Sequence, residues 1–170
     1  MQRSKAGWIL AALVLGAIAP QSAAAQFASS QKYLGAHLGM SGVGSAAAIG
    51  VNGEMSYNEN IGIGFLVDTW SYGYSAGGFD SSVRYMSFAG TGAYHFPIKT
   101  APKWDPFVGV AVGYFIVNYE SDFGDFDVDG NRIYLGGFGG ARYFFKPSVT
   151  GVARLGFGAS YLSLGVDFKL

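Results

Sequence analysis

The last ten residues of this chain, "YLSLGVDFKL", set Leu162, Leu164, Val166, Phe168 and Leu170 on one parity and Tyr161, Ser163, Gly165, Asp167 and Lys169 on the other. Successive strand side chains point in opposite directions, so this alternation describes a strand with two unlike faces. Seven earlier segments repeat it, at 32–40, 45–57, 61–72, 82–96, 106–120, 131–145 and 149–157. That repetition restricts the fold more than any other feature of the sequence.

The faces differ in the same way throughout. One carries Leu34, Leu38, Met40, Ile49, Val51, Met55, Ile61, Ile63, Phe65, Val67, Phe88, Tyr94, Val108, Val110, Val112, Ile133, Leu135, Leu155 and Phe157. The other carries Tyr33, Gly35, His37, Gly50, Asn52, Glu54, Gly62, Gly64, Asp68, Ser87, Ala89, His95, Gly109, Ala111, Arg142 and Arg154. Around Gly136-Gly137-Phe138-Gly139-Gly140 the facing stays open. A soluble barrel must cover its outside with polar groups, and a face of glycine, alanine, serine and scattered charges is too small and too sparsely charged for that. It suits a narrow lumen, while the bulky face suits lipid.

Composition and length agree. Charged residues are 13% of the 170 and aromatics 16%, with 27 glycines, whereas charge alone approaches a quarter of a soluble domain. Each segment has roughly the 9–11 residues a tilted transmembrane strand needs. Eight strands make the smallest barrels, whose interiors are just filled by side chains. The sequence therefore predicts an all-β fold, an eight-stranded antiparallel up-and-down transmembrane β-barrel. The 11 basic and 11 acidic residues cancel, which gives no footprint for nucleic acid. With no cysteine, disulfides, thiolate catalysis and cysteine-ligated metal are excluded.

Residues 1–25 read differently. Arg3 and Lys5 precede an apolar run from Trp8 to Ala19, then Pro20 and the small residues Ala23-Ala24-Ala25. Basic start, short apolar core and A-x-A site form the pattern of a cleavable secretory signal peptide, leaving one barrel domain over 26–170. The connections at 58–60, 97–105 and 146–148 alternate with those at 41–44, 73–81, 121–130 and 158–160. With both termini in the periplasm, the second set faces outward, and loops 73–81 and 121–130 share the outer rim. Aromatics near segment ends, among them Tyr57, Trp70, Tyr72, Phe96, Trp104, Tyr119, Tyr143, Phe144 and Phe145, would supply interfacial girdles.

The signal peptide, the eight alternating segments and the closing "GGARYFFKPSVTGVARLGFGASYLSLGVDFKL" resemble the small eight-stranded outer-membrane β-barrel proteins, the kind that includes the OmpA transmembrane domain and OmpX. The resemblance covers nearly all of the chain after residue 25. It implies an outer-membrane location, outer-membrane lipid and lipopolysaccharide as surroundings, and insertion by the barrel-assembly machinery. In one respect the chain departs from the family pattern: Leu170 stands where members commonly carry an aromatic, and Phe168 lies two residues earlier.

Parity sends Glu54, Asp68, Arg142, Arg154, Asp167 and Lys169 into the lumen. Charges in a narrow interior must pair: Arg154 with Asp167 across a short hairpin, and Arg142 with Glu54 or Asp68. Such a network is either a polar plug or the gate of a proton-dependent pore. Small barrels of similar architecture include lipid A-modifying enzymes, but acyl chemistry needs His, Ser and a carboxylate near the outer rim, and neither inward histidine is expected there. In the loop "SDFGDFDVDGN", Asp125, Asp127 and Asp129 match the start of a calcium loop, yet position twelve is Gly136 where a bidentate Glu is required. A hydrated acidic hairpin, a weak Ca²⁺ site and a divalent bridge to lipopolysaccharide phosphates all fit that loop. Phe79, Asp122, Phe123, Asp125, Phe126, Asp127 and Asp129 are the candidates for extracellular contact.

The function expected is structural or surface-interactive through the extracellular loops, in a monomer without cofactor, metal or catalysis and with an unidentified surface ligand. The other reading is a small, low-conductance, porin-like channel gated by the inward charges. A soluble lipocalin-like carrier would require the facing to be inverted. Intact-mass measurement of the exported protein is expected to find Gln26 at the mature N-terminus; a chain that keeps residues 1–25 would mean an anchor in place of a signal peptide.

Overall fold

The computed structural model describes residues 27–42, 46–76, 79–121 and 130–170, with the backbone alone at 74–76, 79–81 and 119–121. The eight strands are β1 (Lys32–Ser41), β2 (Ala47–Ser56), β3 (Ile61–Ala76), β4 (Phe79–His95), β5 (Trp104–Ser121), β6 (Arg132–Lys146), β7 (Val149–Phe157) and β8 (Ser160–Lys169). Each pairs antiparallel with the next, and β8 pairs with β1, so the sheet closes on itself. Closure leaves the wall no open edge, which is the condition for a sheet to cross hydrocarbon.

Local chemistry makes the short turns. The Asn58 side chain accepts hydrogen bonds from the Asn60 and Ile61 amides, both at 2.8 Å, an Asx turn that ends β2 and starts β3. Gly158, with φ at +113°, links β7 to β8 in a conformation that an L side chain rarely adopts. Both described chain ends meet at one rim, here called proximal, where the Leu170 amide donates to Lys32 O at 2.9 Å. The β1–β2, β3–β4, β5–β6 and β7–β8 connections lie at the opposite, distal rim.

The bulky parity faces outward around the whole wall, with Leu38, Ile49, Val110, Val112, Leu135, Leu155 and Leu164 all exposed. The small and polar parity is buried. Within β6, the even positions point inward, which settles the facing of the glycine-rich run: Phe138 fills lumen space beside Phe107.

Four expectations change. Residues 73–76 and 79–81 are strand in place of loop, since β3 runs to Ala76, β4 starts at Phe79, and these two residues pair. Phe79 is thus a strand residue. Small residues hid this strand because backbone pairing needs no side-chain pattern. Second, Tyr161 is exposed and does not face the lumen: the pairing slips between Met40 and Ser41, so that Ser41 opposes Ser160 and Tyr161 is the extra residue of a bulge. Third, of the aromatics near segment ends, Trp70, which has the inward parity, is buried in the lumen and so is Phe144, whereas Tyr72, also of inward parity, is exposed together with Tyr57, Phe96, Trp104 and Phe145. Fourth, β5 begins at Trp104, two residues earlier than its alternation indicated.

Placing a cation in the middle of the outward wall tests the facing. Leu164→Arg is expected to cost about 2–4 kcal/mol of stability in lipid vesicles, read from urea unfolding; an unchanged midpoint would contradict a lipid-facing wall.

Candidate functional site

The lumen is the site that the fold builds most elaborately. Its centre is Arg142 of β6, with 0% of its surface exposed. Nη1 donates to Asp105 Oδ2 of β5 at 3.2 Å and to Glu54 Oε1 of β2 at 3.4 Å, and Nη2 donates to Asp167 Oδ2 of β8 at 3.1 Å. The guanidinium lies over the Tyr33 ring, 4.2 Å from its centroid, so one face is covered by a ring while both Nη atoms are paired; Nε is buried without a hydrogen-bond partner among the described residues.

Two histidines extend the network. His95 Nδ1 donates to Asp105 Oδ1 at 2.8 Å, and its Nε2 stands 3.1 Å from Glu54 Oε1 without hydrogen-bond alignment. Deeper in the barrel, His37 Nε2 donates to Asp68 Oδ1 at 2.7 Å, and Nδ1 lies 3.1 Å from Asn52 Oδ1. Asn52 Nδ2 donates to Asp167 Oδ1 at 2.9 Å, which joins the His37–Asp68 pair to the Arg142 cluster. Glycine on the lumen face makes room for this. A Cβ at Gly35 would collide with the Asp167 carboxylate, and one at Gly50 with the His37 imidazole.

Of the six lumen charges expected from sequence, Glu54, Arg142 and Asp167 converge. Arg154 reaches Asp167 only at 3.8 Å, within charge attraction and beyond hydrogen-bond distance. Asp68 is drawn away from Arg142 by His37. Lys169 is half-buried at the proximal rim and makes no ion pair with the described residues. The sequence reading passed over Asp105 because the alternation of β5 was begun at Pro106; counting back by twos from Gly109 reaches it. Asn52 was seen on the inward face, but nothing in the pattern marks it as a bridge.

Aromatic layers close both ends. Proximally, Phe27 stacks on His95 with centroids 3.7 Å apart and rings 1° from parallel, and Tyr33 packs edge-on to Phe144. The strap that carries Phe27 is pinned by Gln31, whose amide donates to Ser56 Oγ at 2.7 Å and whose side chain accepts from the Tyr33 hydroxyl. Distally, Trp70 stacks on Tyr85 and meets Phe115 edge-on, and Phe115 stacks on Tyr134. Between the layers a cavity of about 40 Å³, bordered by His37, Asp68, Tyr134, Arg154 and Ser163, remains open. It holds one or two waters at most.

The arrangement offers little to catalysis. Ser160 Oγ donates to Asp68 at 3.4 Å, but its contact is with the carboxylate, and a serine nucleophile needs the imidazole. Glu54, Asp105 and His95 converge around the Arg142 guanidinium, which fills the position a metal cation would take. At the distal end, the calcium-like Asp125, Asp127 and Asp129, together with Asp122, Phe123 and Phe126, lie outside the described residues. Gly136 belongs to the wall, paired with Ala111, and cannot close such a loop.

Comparison with solved structures places this architecture among outer-membrane barrels. The N-terminal β-barrel domain of Pseudomonas aeruginosa OprF aligns with a TM-score of 0.58 at 14% identity, over 84% of this chain and 98% of that one. Neisserial surface protein A aligns with a TM-score of 0.56 at 19% identity, over 82% and 95%. Ail, the attachment invasion locus protein of Yersinia pestis, in complex with the heparin analogue sucrose octasulfate, aligns with a TM-score of 0.51 at 13% identity, over 82% and 94%. No protein-family model and no curated protein matches the chain. Removing the central cation tests the site: Arg142→Ala leaves three buried carboxylates without their partner and is expected to cost about 3–5 kcal/mol, measured by urea unfolding of the refolded barrel. A loss below about 1 kcal/mol, the range of an exposed pair, would mean that the network is hydrated.

Proposed function

We propose that this chain is an outer-membrane barrel, exported by a signal peptide over 1–25, whose lumen is a closed plug and whose work is done at its outer rim. One observation carries the first half: an ionic network spans the lumen between two aromatic layers, and the cavity beside it among the described residues is only about 40 Å³. Opening a pore would require buried Arg142 to abandon three carboxylates, a rearrangement of several kcal/mol.

The outer rim supports the second half. Pairing of β2 with β3 ends at Ala48 and Trp70, and pairing of β5 with β6 ends at Phe115 and Arg132. β3, β4 and β5 continue past these points, to Ala76, Phe79 and Ser121. They form a three-stranded sheet that stands about 20 Å beyond the wall. Its two sides have no strand partner among the described residues, and open edges of this kind accept extended segments of other chains.

The charge of this end restricts what it would bind. Asp80, Glu120, Asp122, Asp125, Asp127 and Asp129 outnumber Arg84 and Arg132 there. Ail, of the same fold, was crystallised with a sulfated ligand; for this chain like charge would disfavour such a polyanion, and the ligand is better sought among cationic or neutral segments. The chain thus acts by presenting a surface and carries no enzymatic activity.

Single-channel recording of refolded residues 26–170 in planar bilayers, after heat-modifiable migration shows a folded barrel, tests the plug. Silence is expected from the wild type. Discrete openings that change in Glu54→Gln or Phe27→Ala would make the protein a pore gated by its inward charges.

A further inference from the structure

Every lysine after the predicted cleavage point lies at the proximal rim. Lys32 opens β1, Lys99 and Lys103 stand in the connection from β4 to β5, Lys146 ends β6 and Lys169 ends β8. Glu59 is the single acidic side chain in the described turns of that rim. No carboxylate of the described residues lies within ion-pair distance of Lys32, Lys99, Lys103 or Lys169.

Lys32, Lys99 and Lys103 are exposed, whereas Lys146 and Lys169 are half-buried on the inward parity of their strands; all five have apolar neighbours on the outward wall. Lys32 is two residues from Leu34, Lys99 follows Ile98, Lys103 precedes Trp104, Lys146 follows Phe145, and Lys169 lies between Phe168 and Leu170. All six of these apolar neighbours are exposed. On the membrane-spanning reading above, on which this inference rests, that wall sits in hydrocarbon and the ammonium groups stand at headgroup depth. A lysine stem can lie along the acyl boundary while its charge reaches a phosphate.

We propose that the proximal rim is a collar that binds anionic phospholipid headgroups. The distribution selects this partner. The exposed lysines fall on β1 and on the β4–β5 turn, on opposite sides of the closed strand order, with Lys146 and Lys169 on the arc between them. A protein or polymer docked on one side would meet only some of them, whereas a lipid leaflet surrounds the barrel and meets all. The collar is continuous with the lipid-facing wall, and the acidic distal end has no counterpart to it.

Trp104, exposed on the wall beside Lys103, is a built-in reporter, since Trp70 is buried in the lumen. Refolded residues 26–170 would be placed in phosphatidylcholine vesicles containing brominated phosphatidylglycerol or, separately, brominated phosphatidylcholine, and Trp104 quenching would give relative lipid association. A preference of about threefold or more for phosphatidylglycerol is expected at low salt, and it should vanish at about 1 M salt. The preference should also vanish in K32Q/K99Q/K103Q/K146Q/K169Q, fall by about half in the turn variant K99Q/K103Q, and persist in R84Q/R132Q. If the fivefold variant does not fold, the turn variant decides. Equal quenching by both lipids around a heat-modifiable barrel would overturn the collar and leave the membrane reading standing. Equal quenching combined with lysine-dependent retention on an insoluble anionic wall polymer would overturn it in favour of that polymer. Absence of both quenching and heat modifiability would remove the membrane reading and the collar with it.

Discussion

A guanidinium deprived of water is the interaction on which the interior of this barrel depends. Arg142 has no exposed surface, and an unpaired charge in such a place would cost several kcal/mol. The fold answers with carboxylates from three other strands, Glu54 on β2, Asp105 on β5 and Asp167 on β8. Because β2, β5, β6 and β8 lie around the closed sheet, these contacts tie opposite walls together through the middle. The wall is held by backbone pairing, and its cross-section is held by charge.

Side-chain volume determines whether that bracing fits. Glycine at 35 and 50 lets Asp167 and His37 lie against the opposing backbone. Aromatic layers then cover the network on both sides. Burial strengthens each ionic contact inside, so the Phe27–His95 stack and the Trp70–Tyr85 stack belong to the same energetic unit as the charges they cover.

The zero net charge of the chain conceals a strong separation. Lysines collect at the rim where the termini meet, acidic residues at the rim where β3, β4 and β5 overrun the wall, and the paired charges lie between. A neutral total therefore says nothing about what either end attracts.

How much of this was legible in the residues differs by level. Strand number and most of the facing follow from alternation, because a two-faced wall imposes opposite demands on successive side chains; the glycine-rich run of β6 and the bulge at Tyr161 do not. Arg142, Glu54, Asp167 and the two histidines could be assigned to the interior on parity. Their pairing could not: Asp68 and Glu54 looked equivalent as partners of Arg142, and only the stagger of the closed sheet puts Asp68 against His37 and Asp105 against Arg142. The continuation of β3 and β4 to Ala76 and Phe79 was likewise hidden, since backbone hydrogen bonds through small residues leave no hydrophobic pattern. The sequence by itself determined a two-faced sheet of eight strands, since one-dimensional alternation is enough to specify facing. Which charges meet only the tertiary structure decided, because register and shear bring together residues as distant as Glu54 and Arg142.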